Sequence, residues 1–169
     1  MTLSLYQASV PVFVRALGNL RHVLQKGEAF AAEKGVAPEV LLQTRLIPDM
    51  LPLVNQVRIA TDMAMRGTAR LAGAEPTPVA DEETTFAELY ARIDNALASI
   101  GKFTAAQIDG SESRPITLQM RTGELKFDGQ SYLLHFLLPN LFFHTTTTYD
   151  ILRQGGVPLG KTDFIGGAQ

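Results

Sequence analysis

Apolar side chains recur along this chain at three- and four-residue steps, in stretches long enough for helices. Val10, Phe13, Val14, Leu17, Leu20 and Leu24 form the first such stripe, the pattern of a helix with one buried face. It predicts a helix from Tyr6 to Lys34, ended by Gly35, with Ser9 ahead of Pro11 as a candidate cap for a late start. Pro38 to Leu46 reads as a short helix or turn leading into Ile47-Pro48-Asp49-Met50. A second helix is expected from Met50 or Pro52 to Ala72, stopped by Gly73, and the prolines within Ala74 to Ala80 mark a loop. A third is expected from Thr84 to Ala106. Thr85 and Glu88 stand three apart there, as in a capping box, and Phe86, Leu89, Ile93, Leu97 and Ile100 make its buried stripe.

The period then changes from 3.6 to two. Ile116, Leu118 and Met120 alternate with Thr117, Gln119 and Arg121, and Leu125 and Phe127 alternate around Lys126. This predicts a small β-hairpin with its turn near Gly123, between helices three and four. Helix four is expected from Gly129 to Gln154, closed by Gly155-Gly156. Pro139 falls inside it and requires a kink or a break. The tail, Val157 to Gln169, is glycine-rich and expected along the surface. Four long helices with one inserted hairpin describe a mainly α four-helix bundle, one domain spanning 1–169 around one core.

Composition removes several classes of function. Hydrophobic residues at 46% exclude a disordered chain. A net charge of -2 leaves no footprint for nucleic acid or an anionic membrane. Without cysteine there is no disulfide, thiolate metal site or cysteine nucleophile. The most apolar stretch, Tyr132 to Phe143, is shorter than the ~20 residues a bilayer requires, and His135, Pro139 and Asn140 interrupt it. Met1 to Gln7 has no basic start and no long apolar run, so no signal peptide is expected. A cytoplasmic location follows by elimination.

Bundles carry their chemistry on inward-pointing side chains of facing helices. Asn140, His144 and Thr148 are spaced by four and share one face of an otherwise apolar helix. They are either the lining of an internal pocket or a buried histidine satisfied by its neighbours. Gln56, among Leu53, Ala60 and Met63, is a second inward polar residue. The hydroxyls of Thr145 to Thr148 are expected to bond back to carbonyls one turn earlier. Arg58, Asp62 and Arg66, with Asn55, form a stripe that reads as a solvated ion-pair ladder. His22 is expected in solvent, and His135 and His144 lie nine apart, on opposite sides of a regular helix. HExxH, HxxxH, EF-hand, P-loop, Rossmann and GxSxG patterns are all missing.

Leu138-Pro139-Asn140-Leu141-Phe142-Phe143-His144-Thr145-Thr146-Thr147-Thr148-Tyr149-Asp150-Ile151-Leu152-Arg153, with Gly155 to Phe164, Arg45 to Met50 and Gln56-Val57, resembles an uncharacterised bacterial family of unknown function. That family is placed in the DinB/YfiT-like superfamily of metalloenzymes. The resemblance implies a four-helix bundle, a homodimer and a divalent-metal site of three histidines, one on the second helix and two on the last as HxxxH. His144 matches the second of that pair; Asn140 stands in place of the first, and Gln56 in place of the second-helix histidine. One imidazole and two amides are a poor set for zinc or nickel, so a divalent metal is disfavoured.

Three functions remain open. The first is small-molecule binding or catalysis in a pocket of Gln56, Asn140, His144 and Thr148, with His144 the one candidate acid or base. The second is a non-catalytic homodimer with a purely structural interior. The third is an atypical metalloenzyme that recruits His135 or Asp62.

Overall fold

The computed structural model describes residues 3–120 and 122–167. Ser4 opens the first helix, α1 (Leu5–Lys34): its hydroxyl accepts from the Gln7 N–H, and the Gln7 side chain returns the bond. The cap is therefore five residues earlier than the Ser9 expectation. Ser9 instead lies buried inside the helix and gives its hydroxyl to the Leu5 carbonyl at 2.7 Å. Pro11 is tolerated within the helix on an exposed position. The short α2 (Pro38–Gln43) leads through the Ile47–Met50 turn to α3 (Leu53–Leu71).

The long loop after α3 ends at Thr85, which caps α4 (Phe86–Ile100) through the capping box read from the sequence. The third helix is shorter than expected. The chain turns at Gly101 and restarts as α5 (Ala105–Ile108), where Gln107 accepts from the Thr104 N–H. Strands β1 (Ile116–Met120) and β2 (Gly123–Phe127) pair antiparallel, with Ile116 opposite Phe127 and Met120 opposite Gly123. Gly123 has φ +128°, a conformation only glycine adopts freely. Ile116 and Leu118 point inward while Thr117 and Gln119 face out.

The last long helix covers 129–154 as three joined pieces: α6 (Gly129–Tyr132), a π-helical turn (Leu133–Leu137) and α7 (Leu138–Gln154). The break expected at Pro139 is this π turn, placed directly before it. Proline has no N–H and its ring collides with the carbonyl four residues back. Widening that turn to a five-residue bond, Leu138 N–H to the Leu133 carbonyl, removes the conflict without ending the helix. Beyond Gly156, a short helix α8 (Lys161–Ile165) lies across α1. Arg15 donates to the Ile165 and Gly167 carbonyls, Asn19 to the Phe164 carbonyl, and His22 and Lys26 both hold Asp163.

The four long helices enclose one core. Phe13, Leu17 and Leu24 of α1, Leu53, Val57 and Leu71 of α3, Leu89, Ile93 and Ile100 of α4, and Leu133, Leu137, Leu141 and Leu152 of the last helix are all withdrawn from water. Each such side chain contributes about 1.5–3 kcal/mol of burial. Val14, assigned to the α1 stripe by spacing, lies outside it and is exposed. No helix among the described residues is long and apolar enough to cross a membrane.

α3 meets the last helix at Gly67, where an added Cβ would stand 2.6 Å from both Leu137 methyls. Leu137 is fully buried, so its methyls must shift within the packed core to admit that atom. Gly67→Ala should therefore destabilise by about 1–3 kcal/mol. Gly18, exposed on α1 with nothing within 4 Å of such a Cβ, should gain up to about 1 kcal/mol as Gly18→Ala. Urea unfolding of the two variants measures both signs.

Candidate functional site

Pro52 cannot donate to a preceding turn, and α3 starts directly after it, which places Gln56 in the first turn facing the core. The Gln56 Nε2 donates to the Leu51 carbonyl at 2.8 Å. Its Oε1 thereby faces α7, where the Nδ1 of His144 stands 2.7 Å away. An amide oxygen only accepts, so Nδ1 carries the proton and donates it. The neutral ring is held in one tautomer, with the lone pair on Nε2. No described residue bonds to Nε2, and that atom is not sealed from solvent. Burial pushes the His144 pKa below its ordinary 6.5, so the ring is neutral near pH 7. The Phe143 ring meets it edge-on, with centroids 5.2 Å apart.

Of the four residues read as a pocket, the structure brings Gln56 and His144 together. Asn140 gives its Nδ2 to the Phe136 carbonyl at 2.7 Å, and Thr148 gives its hydroxyl to the His144 carbonyl at 2.9 Å. Thr145 and Thr147 also bond back one turn, to Leu141 and Phe143. Short polar side chains on a helix reach their own backbone more readily than a neighbouring helix. Three cavities in the described residues are lined by other side chains than these four.

A divalent centre of the kind the superfamily implies does not fit these residues. The Gln56 oxygen is taken by the His144 N–H, the Asn140 amide is turned to its own helix, and one imidazole nitrogen remains. His135 lies exposed in the π turn, and Asp62 is held by arginines. Among the described residues no three of His, Cys, Asp and Glu gather as a metal would need. His22, expected in solvent, is exposed and also bonds Asp163 at 2.9 Å.

Sequence spacing missed a buried polar cluster. Arg92 of α4, with a side chain only 4% exposed, donates through Nε to the Thr61 hydroxyl and through Nη1 to the Ala80 carbonyl and Glu83. Its Nη2 donates to Asp62 at 2.7 Å and stands 3.1 Å from Asp81. Arg58 reaches the same Glu83 at 2.8 Å. The ladder expected along α3 is therefore replaced. Arg58 turns to the loop, Asp62 turns to α4, and the Asp62–Arg66 pair survives only at 3.5 Å. Burial works against the charge of Glu83, but hydrogen bonds from Arg92, backbone and Arg58 outweigh it and hold its pKa below the ordinary value. The cluster borders a cavity of about 520 Å³ between α3, α4 and the loop.

The model of a family described as a domain of unknown function (DUF1993) matches residues 5–165. The chain belongs to this family. A crystal structure of a DinB family member protein from Shewanella denitrificans matches with a TM-score of 0.89 and 38% sequence identity, over 97% of this chain and 93% of that one. No curated protein matches the chain. The DUF1993 chain is thus DinB-like in fold, as its motifs implied.

Two outcomes follow from the site. The unfolded chain protonates His144 near pH 6.5 while the folded chain resists, so stability is full above about 6.5 and falls as the pH drops toward the lowered folded value. Unfolding free energies measured from pH 7.5 to 5 should show this slope, and His144→Gln should flatten it. The Asp163 contribution has the carboxylate sign: its pKa is lowered by the Gly160 N–H, His22 and Lys26, so its loss comes only below pH 3.8. Separately, Arg92→Met leaves Asp62 and Glu83 without their shared cation, and should cost about 3–5 kcal/mol in denaturant unfolding.

Proposed function

We propose that this chain binds a small molecule at His144, with the open Nε2 as the group that engages it. One observation carries the reading: a buried glutamine amide with both polar atoms committed holds the ring in the Nδ1–H form and leaves the other nitrogen free. A neutral imidazole in a fixed tautomer accepts a hydrogen bond from an O–H or N–H of a ligand. It also serves as a general base if that proton is to be moved. Gln56 is uncharged, so it orients the ring without raising its basicity as a carboxylate would. Leu51 and Phe143, at the two ends of this chain of contacts, are 45% and 55% exposed, so apolar surface is available near the pair. We infer that residues 1–169 form one bacterial, cytoplasmic domain.

A second reading is a non-catalytic homodimer. Phe142 and Phe143 are consecutive and both exposed on α7, which favours a helix-face partner of the same kind. Under that reading Phe143→Ser shifts the sedimentation equilibrium toward monomer and leaves His144 without a ligand.

A fragment screen read by amide NMR tests the first reading. Fragments bearing a hydroxyl or amide donor on an apolar ring should shift amides within 51–56 and 140–148. His144→Ala should abolish those shifts with the rest of the spectrum kept. No hit on those amides, or the same hits in His144→Ala, overturns it.

A further inference from the structure

At the opposite end of α3, with Arg70 about 21 Å from Gln56 by helical rise, three arginines line one groove. Arg66 and Arg70 lie one turn apart on α3, and Arg114 enters from the segment before β1. The walls are the end of α3, residues 73–76, and the outward face of β1 with Thr117 and Gln119. The groove encloses about 630 Å³, within the range of sites for small ligands.

The charges in this groove are not balanced. Elsewhere in the molecule Arg21, Arg58 and Arg92 are each paired with carboxylates at 3.1 Å or less. Among the described residues, neither Arg70 nor Arg114 takes part in an ion pair. Arg70 gives one N–H to the Tyr132 hydroxyl at 3.3 Å, and Arg114 gives one to the Leu71 carbonyl. Arg66 has only the long contact to Asp62, and its Nε is buried with no partner. The acid that lines the groove, Glu75, bonds none of them. Arg70 and Arg66 both act on the buried Tyr132 phenol, opposing the rise in its pKa that burial causes. Gly73, with φ +74°, has no side chain to hold the Arg114 guanidinium off: an added Cβ would lie 3.1 Å from its Cζ.

Three like charges so placed repel one another until an anion joins them, and a planar guanidinium offers two parallel N–H bonds to a phosphate or carboxylate. We propose that this groove binds a small anion carrying a phosphate or carboxylate group, held by Arg66, Arg70 and Arg114. The site is independent of His144 and does not rest on the function proposed there.

Amide NMR at pH 7.5 and constant ionic strength tests it, with inorganic phosphate and succinate as separate probes and sodium chloride as the balance. Saturable shifts of Gly73 to Glu75 and Ile116 to Gln119 are expected with at least one probe. Arg66→Gln and Arg70→Gln should each weaken that binding by about tenfold. Arg70→Lys, which keeps the charge but loses the fork, should also weaken it, while Arg153→Gln on α7 and His144→Ala leave it unchanged. Shifts with phosphate alone assign a phosphate ester, with succinate alone a carboxylate, and with both the shared anion chemistry. No saturable shift with either probe in the wild-type chain overturns the proposal. So does equal affinity in a folded Arg66→Gln, Arg70→Gln double variant.

Discussion

Arg92 is a cation taken almost wholly out of water, and the arrangement of α3, α4 and the loop between them follows from satisfying it. A guanidinium has five N–H groups, and here they meet Thr61 and Asp62 on α3, and Ala80, Asp81 and Glu83 on the loop. Desolvation alone would favour losing the proton; the surrounding carboxylates reverse that and hold the charge. Such a cluster adds little stability over an apolar one of the same shape, but breaking it leaves charges stranded. Its consequence is positional. The loop is held against α3 and α4 by polar bonds, and α3 is set in rotation and height against its neighbours.

That placement matters because α3 carries residues of both proposed sites. Near its start Gln56 faces α7 and orients His144; near its end Arg66 and Arg70 face the hairpin. Between them Ala60, Ala64 and Gly67 keep side-chain bulk low where the helix packs inside the bundle. The hairpin, which contributes Ile116 and Leu118 to the core, turns its polar residues to the other side and forms a wall there.

Much of this was legible in the sequence wherever one local rule decided the outcome. Apolar stripes found the long helices, Thr85 and Glu88 found a cap, and alternation found the hairpin. The departures occur where spacing along one helix did not say which partner a polar side chain takes. Arg58, Asp62 and Arg66 are spaced for a ladder, yet Glu83 and Arg92, 25 and 30 positions away along the chain, take the first two. Asn140 and Thr148 share a face with His144, but their short side chains find carbonyls of their own helix first. Gln56 and His144 are longer and do meet, which spacing on separate helices cannot reveal. Arg92 was hidden because a charged residue on an amphipathic helix reads as solvent-facing until its partners are known. Helix α8 was hidden by the glycines that flank it, Gly160 and Gly166.

The π turn at Leu133–Leu137 has an ancestry-like implication. A five-residue bond in a four-residue ladder is how a helix absorbs one supernumerary amino acid. Deleting a single residue there would close the wide turn and bring back the conflict at Pro139, and everything upstream would rotate by about 100° relative to α7. Tyr132 and the strand that precedes it would leave their seats, while His144 and Gln56 would keep theirs. The two halves of the last helix are phased separately, and a change of length in one need not be felt by the other.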